Sequence, residues 1–190
     1  MKGFSHPSGF FCKFKTHDNI QFNLEILRNL YWISSKLKDR KKKLLFKPVF
    51  LITTSIIEAI LHDFYLRIYS NVYEGVKNLE NHILEEIRSK KIDEFAKYIS
   101  VAKKYDFFEL KETNFYEALE HLRKIRNRIH IQNSKQYKPK NENIIYDDQL
   151  IVLSEKCLEK IIKVMYQKYN RTESLHRYQK ELSLPWLPHI

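Results

Sequence analysis

Apolar residues recur along this chain at intervals of three and four, the spacing of one helix face. Alternation of the kind that makes a strand is absent over any useful length. Ile20, Leu24, Leu27, Leu30, Tyr31 and Leu37 predict a helix from Asp18 to Lys38. Val49, Ile52, Ile56, Ile57, Ile60, Phe64 and Ile68 predict a second from about Pro48 to Ser70, with the proline in its first turn. Asn78 to Lys90 and Ile92 to Tyr105 read as two shorter helices or one bent one. Phe115, Ala118, Leu122, Ile125 and Ile129 mark a helix from Asn114 to about Asn133, where Asn114 can cap and Glu117 can complete a capping box. Leu150, Leu153, Leu158, Ile161, Ile162, Val164 and Met165 place the last one over Asp147 to Tyr169. The predicted fold is all-α, an up-and-down bundle of four to five core helices with additional short helices.

With 190 residues the chain reads as one helical domain, divided into an arm (1–17), a core (18–170) and a tail (171–190). Phe4, Phe10, Phe11 and Phe14 make the arm aromatic enough to dock, and the tail from Leu182 to Ile190 is too apolar to float free. Three glycines are too few for a dinucleotide fold, and no phosphate-cradling G-x-x-x-x-G-K-[ST] is present. Cys12 and Cys157 suit a reduced cytosolic protein rather than a disulfide framework. The start lacks a signal-peptide core. The greasiest run, Val49 to Leu61, is broken by Thr53, Thr54, Ser55 and Glu58, so the expectation is a cytoplasmic protein without a membrane span.

Net charge is +11, which favours an anionic partner such as nucleic acid. The cations from Lys36 to Lys47 form either a solvated inter-helix loop or a patch gripping RNA, with Lys41, Lys42 and Lys43 at its centre. The loop is the plainer reading.

The stretch Glu120 to His130 carries the candidate chemistry. On a continuous helix, Asn127 sits at about +40°, His130 at about −20° and Arg126 at about −60° relative to Arg123, so these side chains share one narrow face. Lys124 and Arg128 point to the far side and serve as weaker RNA contacts. On the second helix, Glu58 and His62 lie one turn apart, beside Thr54 and Tyr65. A Glu58 facing the motif helix would orient Arg123 or Arg126 by a charge-assisted hydrogen bond. The bland reading is a wet helix rim with a lone histidine and an ordinary exposed Glu-His pair.

Leu122-Arg123-Lys124-Ile125-Arg126-Asn127-Arg128-Ile129-His130 resembles the signature of the HEPN superfamily, an Arg and a His separated by four to six residues near a helix end. Arg123 and His130 satisfy the long form, with six residues between them. The commoner form has four residues between the Arg of Arg-Asn and the His, and Arg126-Asn127 stands one residue too close for it, with three. Arg123 is therefore taken as the primary arginine, with Arg126 and Asn127 assisting. Ser55-Ile56-Ile57-Glu58-Ala59-Ile60-Leu61-His62 also resembles the second core helix of that family, which presents a polar residue to the active helix.

The resemblance implies a metal-independent endoribonuclease, a toxin or anti-phage effector, that needs no cofactor. Attack by the RNA 2′-hydroxyl requires a base, an acid for the leaving 5′-oxygen, and positive charge on the phosphorane. His130 would be base or acid, and Arg123 would hold the phosphate in bidentate fashion. Asn127 would donate to a phosphate oxygen or fix the imidazole tautomer, and Arg126 would support either task. One histidine cannot easily fill both roles, and the family's two-fold dimer would supply His130 twice. Implied partners are RNA, a second copy, and an antitoxin or defence-complex protein. The alternatives are a non-catalytic HEPN module that binds RNA or a nucleotide, or scaffolds a defence complex, and a purely structural helical dimer. His6, His17, His62, His82, His121, His176 and His189 show no ligand spacing and are read as structural or exposed.

Overall fold

The computed structural model describes residues 3–70, 76, 78–90, 92–111, 113–128, 141–171 and 180–189. Its elements run β1 (Phe4–His6), α1 (Phe14–Ser34), α2 (Asp39–Lys43), α3 (Phe46–Ser70), α4 (Asn81–Ser89), α5 (Phe95–Lys104), α6 (Phe115–Arg126), α7 (Glu142–Ile145), α8 (Asp148–Tyr169) and β2 (Leu182–Leu184). The protein is an all-α helical bundle with one small sheet.

Helix α3 is the axis. Phe50, Ile57, Ile60, Leu61, Phe64 and Ile68 point inward, and the helix packs against α1, α5, α6 and α8. By length and composition alone the helical stretch holding α3 could cross a bilayer, and half of its apolar window is buried here, against neighbouring helices. Thr54 and Tyr65, expected on its polar side with Glu58 and His62, are interior. Thr54 donates back to the Phe50 carbonyl, and Tyr65 donates to the Tyr98 carbonyl while stacking on the Tyr98 ring at 5.1 Å. A threonine hydroxyl satisfied within its own helix costs little to bury, which the sequence pattern does not reveal.

Two more buried polar groups of α3 tie helix ends together. The Asp63 carboxylate accepts the backbone N–H groups of Cys12 (2.5 Å) and Lys13 (3.1 Å), so it caps α1 from another helix. That is why α1 begins at Phe14 rather than at Asp18. Arg67, 1% exposed, donates to the Tyr169 carbonyl at the last turn of α8 (2.5 Å), where a cation also suits the helix dipole. Helix α8 starts as expected, with the Asp147 side chain accepting from the Leu150 N–H at 2.8 Å.

The strands were not expected. β1 and β2 pair antiparallel, with Phe4 opposite Leu184 and His6 opposite Leu182. A Cβ at Gly3 would stand 2.1 Å from the Leu184 carbonyl oxygen, so the close approach of the two ends requires glycine there. Arm and tail are thus both docked. Phe10, Phe11, Leu182, Leu184 and Trp186 belong to the same core cluster as α3 and α8.

Candidate functional site

Helix α6 buries Phe115, Tyr116, Leu119, Leu122 and Ile125. Its start differs from the expected capping box: the Asn114 side chain makes no cap bond, and the Phe115 N–H donates instead to the Thr113 hydroxyl at 3.3 Å. Glu117 is drawn across to Lys103 of α5, and that contact holds its carboxyl below the usual range.

The α6 arginines are both engaged. Arg123 forms a fork with Glu120 one turn earlier, Nε to Oε2 at 2.8 Å and a terminal nitrogen to Oε1 at 2.6 Å. The hydrogen bonds of this fork lower the Glu120 pKa and raise that of Arg123. Arg126 reaches out of α6 to the Glu58 carboxylate of α3, a close ion pair between half-buried groups. The orienting contact expected of Glu58 is therefore present, and Arg126 is the arginine that makes it. The Tyr98 hydroxyl of α5 lies near this pair, its pKa raised first by burial and then by the Glu58 charge. His62 is exposed, its ring 6.1 Å from that of Tyr98, and stands beside the pair rather than within it.

Helix α6 runs to Arg126, and the part of the expected helix from Ile129 to Asn133 lies outside the described residues. The Asn127 N–H still reaches the Arg123 carbonyl at 3.0 Å, but the Arg128 N–H takes the Ile125 carbonyl three residues back, a tightened last turn. Asn127 is exposed at this end. Ile129 and His130 lie outside the described residues, so the expected placement of His130 beside Arg123 on a continuing helix is not part of the described geometry. Lys124 is exposed, 3.8 Å from Glu120. Arg128, expected on the far side, is half-buried and close enough to the Tyr146 phenol to act on its ionisation. Lys47 lies over the same ring at 5.8 Å. Of the weaker candidates, Lys42 sits 3.6 Å from Asp148 and over the Phe46 ring, whereas Lys41 and Lys43 are exposed.

The arrangement can bind an oxyanion. A phosphodiester presents the same pair of oxygens to a guanidinium as a carboxylate does, so it can replace Glu120 at Arg123 without a change of geometry. Glu120 is the residue that sequence reasoning left without a role. Its spacing, three before Arg123 and four before Lys124, was the available signal. Among the described residues, no group of three or more His, Cys, Asp and Glu side chains converges to hold a cation.

Ser8, His17 and Asp18 have the composition of a nucleophilic triad, with Ser8 Oγ 3.2 Å from His17 Nε2 and Nδ1 3.7 Å from Asp18. Proton bookkeeping rules it out. Ser8 donates to the Lys180 carbonyl at 2.6 Å and His17 Nε2 meets that carbonyl at 2.8 Å, so Nε2 carries the hydrogen and cannot act as base. These side chains fasten the tail. A second fastening was equally invisible in the sequence: Glu159 accepts from the Trp186 indole (2.6 Å) and the His189 N–H (3.0 Å), while Glu155 accepts from Tyr31 and meets the His189 imidazole at 2.5 Å. His17 and His189 are accordingly structural. Comparison of the chain with family models, with curated proteins and with solved structures returns no match.

Proposed function

We propose that this protein is a metal-independent endoribonuclease of HEPN type, a cytoplasmic toxin or anti-phage effector that acts as a homodimer. The observation that carries the reading is the pair of α6 guanidiniums, Arg123 forked on Glu120 in the way it would hold a phosphodiester and Arg126 fixed on Glu58 beside it. In the reaction a base removes the 2′-hydroxyl proton, the 2′-oxygen bonds to phosphorus, and the bond to the 5′-oxygen breaks as that oxygen takes up a proton. Arg123 holds the non-bridging oxygens, Arg126 fixed on Glu58 sets the position of α6, and Asn127 and His130 follow at the helix end. His130 from each of two copies serves as base and acid. An antitoxin or defence-complex protein would restrain the activity in the cell.

The full chain with EDTA should cut structured or unstructured RNA into fragments ending in 2′,3′-cyclic phosphate. His130→Ala should abolish cutting and also relieve the growth arrest of an expressing host. Light scattering should give the mass of a dimer for the active species. Inert wild type, or an active His130→Ala, sinks the catalytic reading. In that event the net charge of +11 favours a module that binds RNA or nucleotide without cleaving it.

A further inference from the structure

Some cations of this chain are matched by acids along its described surface, Lys90 and Lys104 with Glu86, Lys97 with Asp93, Lys168 with Glu109, Lys47 with Glu142, while others such as Lys15, Arg28 and Lys156 are not. The turn between α1 and α3 gathers unmatched cations most densely. Lys36, Lys38, Arg40, Lys41 and Lys43 are exposed, and none has an ion pair or side-chain hydrogen bond among the described residues. One turn before this run, near the end of α1, Trp32 is 58% exposed, and its ring makes no aromatic contact among the described residues. An indole left in water costs apolar hydration that a stacked base would remove.

We propose that the end of α1 and the short helix α2 form a platform for single-stranded RNA, with a base stacked on Trp32 and the flanking phosphates on Lys36, Lys38, Arg40, Lys41 and Lys43. Exposed aromatic surface interleaved with unmatched cations is how proteins hold single strands without reading sequence. A membrane surface fits less well, because α2 is a single charged turn without an apolar face. The platform deepens the RNA reading, since it supplies the affinity that the carboxylate-matched α6 arginines lack. Helix α3 joins the two. Glu58 and Phe46 are separated by roughly 18 Å along α3 at 1.5 Å per residue. Arg128 at the end of α6 and Lys47 in the first turn of α3 both lie close to Tyr146.

The chain has two tryptophans, and Trp186 is buried, so fluorescence quenching by ligand reports on Trp32. The probe is a short 2′-O-methyl single strand with a 5′ fluorescein, added to the full chain, and its anisotropy gives the affinity of every variant, those without Trp32 included. Because it lacks the attacking hydroxyl, it reads binding whether or not the protein cleaves RNA, and cleavage assays on ordinary RNA judge the nuclease separately. The expected result is quenching on binding. Trp32→Ala should weaken affinity roughly tenfold, the worth of one stacked base, and Trp32→Phe should largely restore it. Replacing Lys41 and Lys43 together by Glu should lower the slope of log affinity against log salt by about 1.4, at ~0.7 per phosphate. Equal binding of duplex, or affinity indifferent to Trp32→Ala, overturns the proposal. So does a response to vesicles containing phosphatidylserine with none to the single strand.

Discussion

Arg123 and Arg126 stand three residues apart, yet their partners assign them different work. Glu120 lies on the same helix as Arg123, so their fork adds nothing to tertiary structure and can open without disturbing the bundle. Glu58 belongs to α3, so its pair with Arg126 is a strut between helices. Arg123→Ala should therefore leave the urea midpoint almost unchanged, within about 0.5 kcal/mol, the worth of a pair three residues apart within one helix. Arg126→Ala should cost more, about 1 kcal/mol, because it leaves a half-buried carboxylate without its cation. RNA affinity should rank the other way, with the larger loss at Arg123. A midpoint that falls equally for both variants would show that the strut carries no structural load. That an arginine of α6 would meet Glu58 entered the sequence reading only as a condition, on the resemblance of residues 55–62 to a core helix presenting a polar residue. Which arginine reached Glu58 was not legible, because Glu58 alone fixes neither the rotation nor the depth of α6.

At the scale of elements, the sequence reading found the long helices, since their apolar stripes run for five or more turns. It misjudged termini wherever a distant side chain decides them. Asp63 starts α1 from fifty residues away, and no local signal announces that. Three-residue strands are too short for alternation to register, and β1 meets β2 across nearly the whole length of the chain. The α8 carboxylates show a similar long-range dependence. Burial raises the Glu155 pKa, with the Tyr31 and His189 contacts opposing it, and burial also raises that of Asp63. A carboxyl whose folded pKa is raised binds more protons folded than unfolded, so its contribution to stability declines as pH climbs from the ordinary carboxylate range to the raised value. Glu155→Gln keeps an acceptor for Tyr31 and removes the titration. Urea midpoints measured from acid to neutral pH should fall less steeply with rising pH for Glu155→Gln than for wild type. Parallel curves would mean that Glu155 titrates as it does in the unfolded chain.

At the scale of the whole molecule, arm, tail and bundle share one core, and the closing contacts are polar bonds buried beside aromatic rings. Trp186 is 6% exposed, its ring 5.7 Å from that of Tyr31 and its N–H on Glu159. Glu159 is 3% exposed and receives only two described donors, so loss of one leaves an ionisable oxygen short of a partner in a place water does not reach. Trp186→Phe preserves an aromatic ring against Tyr31 and deletes that donor. The expected cost is about 2 kcal/mol, mostly the unpaired carboxylate with a smaller part from lost ring volume. Trp186→Phe combined with Glu159→Leu should recover much of it, since removing both members of a buried polar pair is far milder than removing one. Chemical denaturation of the two variants checks this directly. If the double variant is no more stable than Trp186→Phe alone, the tail is held by ring packing, and the Glu159 bond contributes nothing to its closure.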